Sequence, residues 1–257
     1  MTQTFGSAYA DAYNQLYRDK DYAAECDLIE QLFRRYSTSP VSKVLDLGCG
    51  TGNHAIPISR RGYDVVGVER SENMLALARK RLLQEGNGRG LRFERGDIRT
   101  VDLHETFDAA LMMFAVIGYQ IENPDVLAAL RTARKHLVRD GLLILDFWYG
   151  PAVLRQRPSE RVRIIPGETG RILRVASGEL DAARGTCTVQ FHLWQLSDDR
   201  LIAETVETHV MRYFFQNELA LLLECSGLSL LRLGAFPDFD REPDEATWNV
   251  LAVARAV

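Results

Sequence analysis

From residue 41 onward, apolar and polar positions alternate in a rhythm of short runs and longer periodic stretches. "KVLDL" (43–47) predicts a strand. "NHAIPISRRG" (53–62) has helical spacing; Pro57 fits only its first turn, and Gly62 terminates it. "YDVVGVE" (63–69) predicts a second strand. "SENMLALARKRLL" (71–83) predicts a helix with Ser71 as its N-cap. A glycine-rich loop (86–90) leads to a strand at "LRFERG" (91–96). "FDAALMMF" (107–114) is nearly all apolar, as expected of a strand covered on both faces. "NPDVLAALRTARKHLVRDG" (123–141) predicts a helix capped by Asn123. Pro124 takes its first position, Lys135 and His136 favour its negative end, and Gly141 stops it. "LLILDFW" (142–148) predicts another buried strand.

After Trp148 the texture changes. Residues 161–213 hold β-like runs separated by the turn signals "PGETG", "DAARG" and "SDDR". "QNELALLLECSG" (216–227) returns to helical spacing, and "LSLLRLG" (228–234) and "TWNVLAVAR" (247–255) predict closing strands. The expected fold is α/β: a doubly wound, Rossmann-like, mostly parallel seven-stranded sheet with an inserted antiparallel β meander. The expected divisions are an N-terminal helical lid (1–40), a ligand-binding core (41–150), a β-rich insertion (151–215) and a return to the core sheet (216–257). Near the N-terminus Phe5, Tyr9, Tyr13 and Tyr17 recur every four residues. On a helix they form one drifting aromatic stripe. It either packs on the domain or serves as a lid whose phenols face a ligand.

Composition narrows the function. The chain has 257 residues, 46% of them hydrophobic, and a net charge of -4 from 31 basic and 35 acidic residues. No basic excess points to nucleic acid. No apolar stretch approaches the roughly 20 residues of a membrane span, and the polar N-terminus has no signal-peptide core. Cys26, Cys49, Cys187 and Cys225 share no metal-type spacing and are expected to be free thiols in the cytoplasm. The histidines are dispersed, and no metal site is expected.

The chemistry concentrates at "VLDLGCGTGNH" (44–54). Gly48, Gly50 and Gly52 permit a tight turn at a strand end, where open α/β sheets bind ligands. Glu69 ends the next strand, 21 residues after Gly48. A carboxylate there suits the two hydroxyls of an adenosine ribose. The spacing is not the dinucleotide G-x-G-x-x-G, and no P-loop lysine follows. Asp46 also opposes a diphosphate, which it would repel by about 4 kcal/mol per charge pair at contact. S-adenosylmethionine has no phosphate and carries an ammonium and a sulfonium, so an acid at the turn suits it.

With these residues the chain resembles the class I S-adenosylmethionine-dependent methyltransferases over residues 41–148. The resemblance implies S-adenosyl-L-methionine as cofactor. It assigns the glycine-rich first motif to Asp46, Gly48, Cys49 and Gly50, the ribose to Glu69 and the adenine amine to Asp97 in "GDIRT". Ile98 would offer a backbone N–H, Met74 would pack on the adenine, and Met113 and Phe114 would line the methionine end. Asp97 as a plain strand-end turn acid is the alternative.

A narrower resemblance, carried by "YNQLYRDKDYAAE" (13–25), "MMFAVIGY" (112–119) and the β-rich insertion, is to bacterial deoxyaminosugar N-methyltransferases. It implies a small-molecule acceptor, with no nucleic-acid or membrane partner. It also implies an insertion that covers the substrate cleft and takes part in a homodimer. Tyr17 and Tyr22 become cofactor-side residues, and Tyr119 faces the acceptor. Where that family has an arginine-bearing segment near the C-terminus, this chain has "FPDFDREPDEATW" (236–248), whose only base is Arg241. That departure favours an uncharged or cationic acceptor, or else marks a solvated acidic loop. Tyr149, at the end of "DFWY", and His192 complete the catalytic candidates beside Tyr119; His209 is an equal alternative as a base, and Asp146 is a hydrogen-bonding residue near the cleft. Three readings follow: an N-methyltransferase on an amino sugar or similar metabolite, an O-methyltransferase on a small metabolite, or a non-catalytic S-adenosylmethionine-binding subunit or sensor.

Overall fold

The computed structural model describes residues 6, 13, 15–85, 90–167, 170–197 and 200–257. Phe5 and Tyr9 of the aromatic stripe, and the loop at 86–90 apart from Gly90, lie outside the described residues. Helix α1 (Tyr22–Tyr36) precedes β1 (Lys43–Leu47), and α2 (Ala55–Arg60), β2 (Asp64–Glu69), α3 (Glu72–Glu85) and β3 (Leu91–Arg95) follow in alternation. Ser71 starts α3 as its sequence predicts, its hydroxyl accepting from the Met74 N–H at 3.4 Å. Then come β4 (Phe107–Met112), a 3-10 turn (Val116–Tyr119), α4 (Asn123–Lys135) and β5 (Leu137–Trp148).

Two boundaries differ from the apolar pattern. The α4 helix ends at Lys135 rather than Gly141, because Leu137 already pairs with Phe107 across the sheet. The following residues join β5 through a bend at Asp140, where φ is 63°. Asn123 does not cap this helix. Glu122 holds the cap position, and the Asn123 side-chain oxygen accepts from Arg212 at 2.7 Å. Strand β4 stops at Met112, because Phe114 and Ala115 turn the chain with φ of 74° and 55°.

A short helix α5 (Gly150–Gln156) leads into β6 (Arg161–Gly167), β7 (Gly170–Asp181), β8 (Thr186–Ser197) and β9 (Arg200–Arg212). These four strands form a separate antiparallel sheet in chain order. Helix α6 (Gln216–Glu224), β10 (Leu228–Ala235) and β11 (Asn249–Ala256) return to the main sheet. Its seven strands run β10-β11-β5-β4-β1-β2-β3, with β11 antiparallel to both of its neighbours. Alternate residues of each strand face opposite layers. Leu45, Leu47, Leu143, Leu145 and Phe147 pack under α4 and α6. Val44, Leu111, Leu142 and Ile144 pack under α1, α2 and α3.

The second sheet also has two faces. Phe191 sits opposite Glu207, and Val189 opposite His209, so these residues share the inner face. Leu193 and Ile172 pack there against Tyr13, Leu16 and Met74. The N-terminal segment is therefore clamped between α3 and the insertion, joining the two sheets through one apolar cluster.

Candidate active site

Past β1 the chain turns through Gly48, Gly50 and Gly52, with φ of 81°, 56° and 79°. A Cβ on Gly48 would lie 2.7 Å from the Val116 side chain, and one on Gly52 2.9 Å from Phe93. Glycine is thus required twice over, by backbone angle and by space. Beside Gly50 the nearest atom is Cε of Met74, 3.6 Å from where a Cβ would stand. Met74 is therefore set over the turn. The Cys49 thiol instead faces the core beside Gly67 and Phe93. Burial pushes it far above the usual thiol range, so this residue serves through its backbone and packing.

The carboxylates divide by environment. Glu69 accepts from the Gly50 N–H at 3.1 Å and from the Ser71 N–H at 2.7 Å. Burial raises its carboxyl pKa against those two bonds. Asp46 is 2% exposed, and burial lifts its pKa to about 6 although His54 and the Ala55 N–H favour the charge. Its Oδ2 has no hydrogen-bond partner in the protein. An orphaned buried carboxylate oxygen is costly, and a cationic ligand group at the turn would satisfy it. Asp97 is different. It accepts from Arg99 at both oxygens, at 3.0 Å and 2.7 Å, and this pairing holds its carboxyl below the usual range. Ile98 is buried next to it.

At the far end of the cleft, Asp146 receives the backbone N–H groups of Phe114 and Ala115, the latter at 3.1 Å. It thereby holds the two left-handed residues that launch the 3-10 turn, a conformation non-glycine residues adopt only at a cost of about 1–3 kcal/mol each. Met113, just before them, is buried. From the N-terminal segment, Tyr17 packs edge-on against Phe114, with ring centroids 5.0 Å apart. The Tyr22 ring meets His54 at 5.2 Å, and its hydroxyl, close to Asn53, is buried without a well-formed hydrogen bond. Lys20 lies over the rings of Tyr22 and Phe114, at 4.6 Å and 4.7 Å, and pairs with Glu25, which is also bonded to His54 at 2.7 Å.

Tyr119 ends the 3-10 turn, and its hydroxyl bonds Nδ1 of His209 at 2.9 Å. His209 Nε2 lies 3.4 Å from Glu207, which in turn accepts the Gly6 N–H at 2.8 Å. Gly118 permits this approach: a Cβ there would stand 3.0 Å from the Arg212 carbonyl oxygen on β9. Core, insertion and N-terminal segment therefore meet at Tyr119.

The remaining catalytic candidates lie elsewhere. His192 is on the outer face of the insertion, opposite in direction to Phe191 and His209. It bonds Glu204 at 2.5 Å and stacks on Trp194. Period-two alternation along the strand places it there, and the imidazole beside Tyr119 is His209. Tyr149 heads α5 and packs against the layer under α4 and α6.

Several residues were not read from the sequence. Arg99 was legible in principle, two positions after Asp97. Glu207 becomes visible only through β pairing. Arg163 and Arg174 stand directly opposite each other on β6 and β7. The Arg174 guanidinium lies 5.5 Å from the Phe191 ring, on the inner face, and its Nε is buried without a partner. Like charges directly opposite in a sheet repel, and among the described residues neither arginine has a carboxylate partner. The acidic stretch 236–248 is a neutralised surface loop, with Asp240 on Arg35 at 2.5 Å, Glu242 near Arg232 and Glu245 near Arg155.

Among the described residues no three side chains form a metal-ligating group, and no helix is long and apolar enough to cross a membrane. Residues 44–141 match the family model of a methyltransferase domain. Over 89% of this chain and 93% of its own length, the dTDP-3-amino-3,4,6-trideoxy-alpha-D-glucopyranose N,N-dimethyltransferase of Streptomyces venezuelae is 29% identical. The dTDP-3-amino-3,6-dideoxy-alpha-D-glucopyranose N,N-dimethyltransferase of Streptomyces fradiae is 28% identical over 88% of this chain and 86% of its own. In fold, the chain is similar to S-adenosylmethionine-bound CalS10, an amino pentose methyltransferase from Micromonospora echinaspora. That likeness has a TM-score of 0.77, covers 100% of both chains and has 23% identity. With its glycine turn, its acids at successive strand ends and this sheet order, the chain carries a methyltransferase domain over residues 44–141 and is similar along most of its length to amino-sugar N,N-dimethyltransferases.

Proposed function

We propose that the protein methylates the amine of an amino sugar carried on a phosphate-bearing group, with S-adenosylmethionine as donor. The observation that carries this reading is the extent of the likeness. It runs beyond the cofactor domain through the insertion and the N-terminal segment, the parts that wall the acceptor side. The Arg163–Arg174 pair supports an anionic handle on the acceptor, which the acidic C-terminal loop does not supply.

The donor fits the residues at the turn. Glu69 would hold the ribose, Met74 and Ile98 the adenine, and Asp46 the ammonium end, with Tyr17 and Tyr22 covering that end. Asp97, already engaged by Arg99, keeps spare lone pairs for the adenine amine. Bound there, S-adenosylmethionine supplies an activated methyl carbon, whose bond to sulfur breaks as the acceptor nitrogen forms its own. The protein's part is alignment and exclusion of water. Tyr119 faces the acceptor. A nitrogen acceptor must present a free lone pair, and the polar groups at Tyr119 suit that need.

The test is methyl transfer to a dTDP-linked 3-amino-3,6-dideoxyhexose, with products read by mass spectrometry and NMR. Methyl groups on nitrogen are expected. Methylation on oxygen alone, or donor binding without turnover on amine and alcohol panels, would overturn the reading.

A further inference from the structure

We infer that Tyr119, His209 and Glu207 form a proton relay that takes the acceptor's ammonium proton out of the cleft and into the insertion. The inference rests on the reading of the acceptor as an amine.

Two contacts carry it. The Tyr119 hydroxyl is 2.9 Å from Nδ1 of His209, and Nε2 of the same ring lies 3.4 Å from Glu207, at ion-pair distance but without hydrogen-bond geometry. The carboxylate next to Nε2 favours the tautomer with its proton there, leaving Nδ1 as an acceptor. Tyr119 then donates its own proton to Nδ1 and keeps its lone pairs for the acceptor's N–H. Glu207 is 6% exposed and His209 3%, so the end of the relay is shielded from bulk water.

A phenolate base is disfavoured at this position. Burial pushes the Tyr119 hydroxyl well above the usual phenol range, and Tyr17, Glu207 and Glu69 push it further. A phenol that cannot hold a negative charge can accept a proton only as it gives one away. The step balances on that basis. The acceptor's ammonium proton moves to the Tyr119 oxygen, the original hydroxyl proton moves to Nδ1, and the positive charge ends on His209 against Glu207. The acceptor nitrogen is left with its lone pair. Among the described residues, the charged and titratable groups around His209 and Tyr119 include Glu207 on the same strand, Arg174 on β7 across the Phe191 ring, Glu69 at the end of β2, Tyr13 and Tyr17. Tyr119 would touch the acceptor; His209 and Glu207 act through it and are positioning residues.

Two measurements test the relay. Long-range proton–nitrogen NMR of the S-adenosylhomocysteine-bound protein, with His209 assigned by its loss in His209→Gln, should show the Nε2–H tautomer. Its ring nitrogens should shift in Tyr119→Phe and again in Glu207→Gln. An Nδ1–H tautomer, or a ring blind to both substitutions, would overturn the relay whatever the acceptor is. With a dTDP-linked amino hexose, Tyr119→Phe and His209→Gln should each lower kcat by about 100-fold near pH 7. The deficit should shrink as pH rises and the free amine becomes abundant, with S-adenosylhomocysteine affinity unchanged. A loss equal at every pH would make these residues structural and overturn the inference. No turnover of the amino sugar by the wild type, with the NMR pattern intact, would instead strike the proposed acceptor and leave the relay standing.

Discussion

At the scale of single residues, the carboxylates of the cleft carry opposite burdens. Glu69 is anchored by two backbone N–H groups and is free to meet a ribose. Glu69→Ala should weaken S-adenosylhomocysteine binding by about 2 kcal/mol, measured by calorimetry; unchanged affinity would remove it from the donor site. Asp46 carries a pKa raised to about 6 by burial. A raised acid pKa means the folded protein binds the proton that the unfolded chain has released. Stability from this group is therefore present below about pH 4 and lost as pH rises through 6. The Tm of Asp46→Asn relative to wild type should climb between pH 4 and pH 7, by the equivalent of about 3 kcal/mol at most. A flat difference would show that the aspartate is not perturbed. The donor motif was legible because its demands are local: a glycine that must take φ near 80°, and an acid that ends the next strand. The acceptor side was not. His192 and His209 look alike in sequence, and only strand alternation separates one from the other.

Secondary-structure elements show the same division. Runs with a single period, such as β1, β2 and the four insertion strands, were legible because burial alone dictates them. The end of α4 was not, because Leu137 continues the helical spacing yet is claimed by Phe107 on β4. The short α5 also escaped, having too few residues to show a period. On the insertion, β6 and β7 present Arg163 and Arg174 side by side, an arrangement no sequence spacing reveals. Arg174→Ala should raise KM for a dTDP-linked amino sugar by 10-fold or more while leaving donor affinity intact, read by steady-state kinetics. An equal rise for the phosphate-free amino sugar would exclude an anion contact.

For the whole molecule, the outer face of the insertion carries exposed apolar side chains on both of its edge strands, β6 and β9. Val162, Ile164, Leu201 and Val206 are each more than half exposed. Monomeric proteins rarely leave a large contiguous apolar patch on a sheet open to water. We propose that a second copy covers it; Val206→Glu with Ile164→Glu should turn a dimer into a monomer in light scattering, and a monomeric wild type would refute this. The inner face has a different consequence. Tyr13 and Leu16 pack at once on Met74 of the donor side and on Ile172 and Leu193 of the acceptor side. We propose that this segment acts as one door for both compartments. On that reading spent donor is not exchanged while the door is shut over the acceptor, and a doubly methylated amine would be made in separate visits. Catalysis would be distributive: in a time course with excess acceptor, the monomethyl product should build up well beyond the enzyme concentration before the dimethyl form appears.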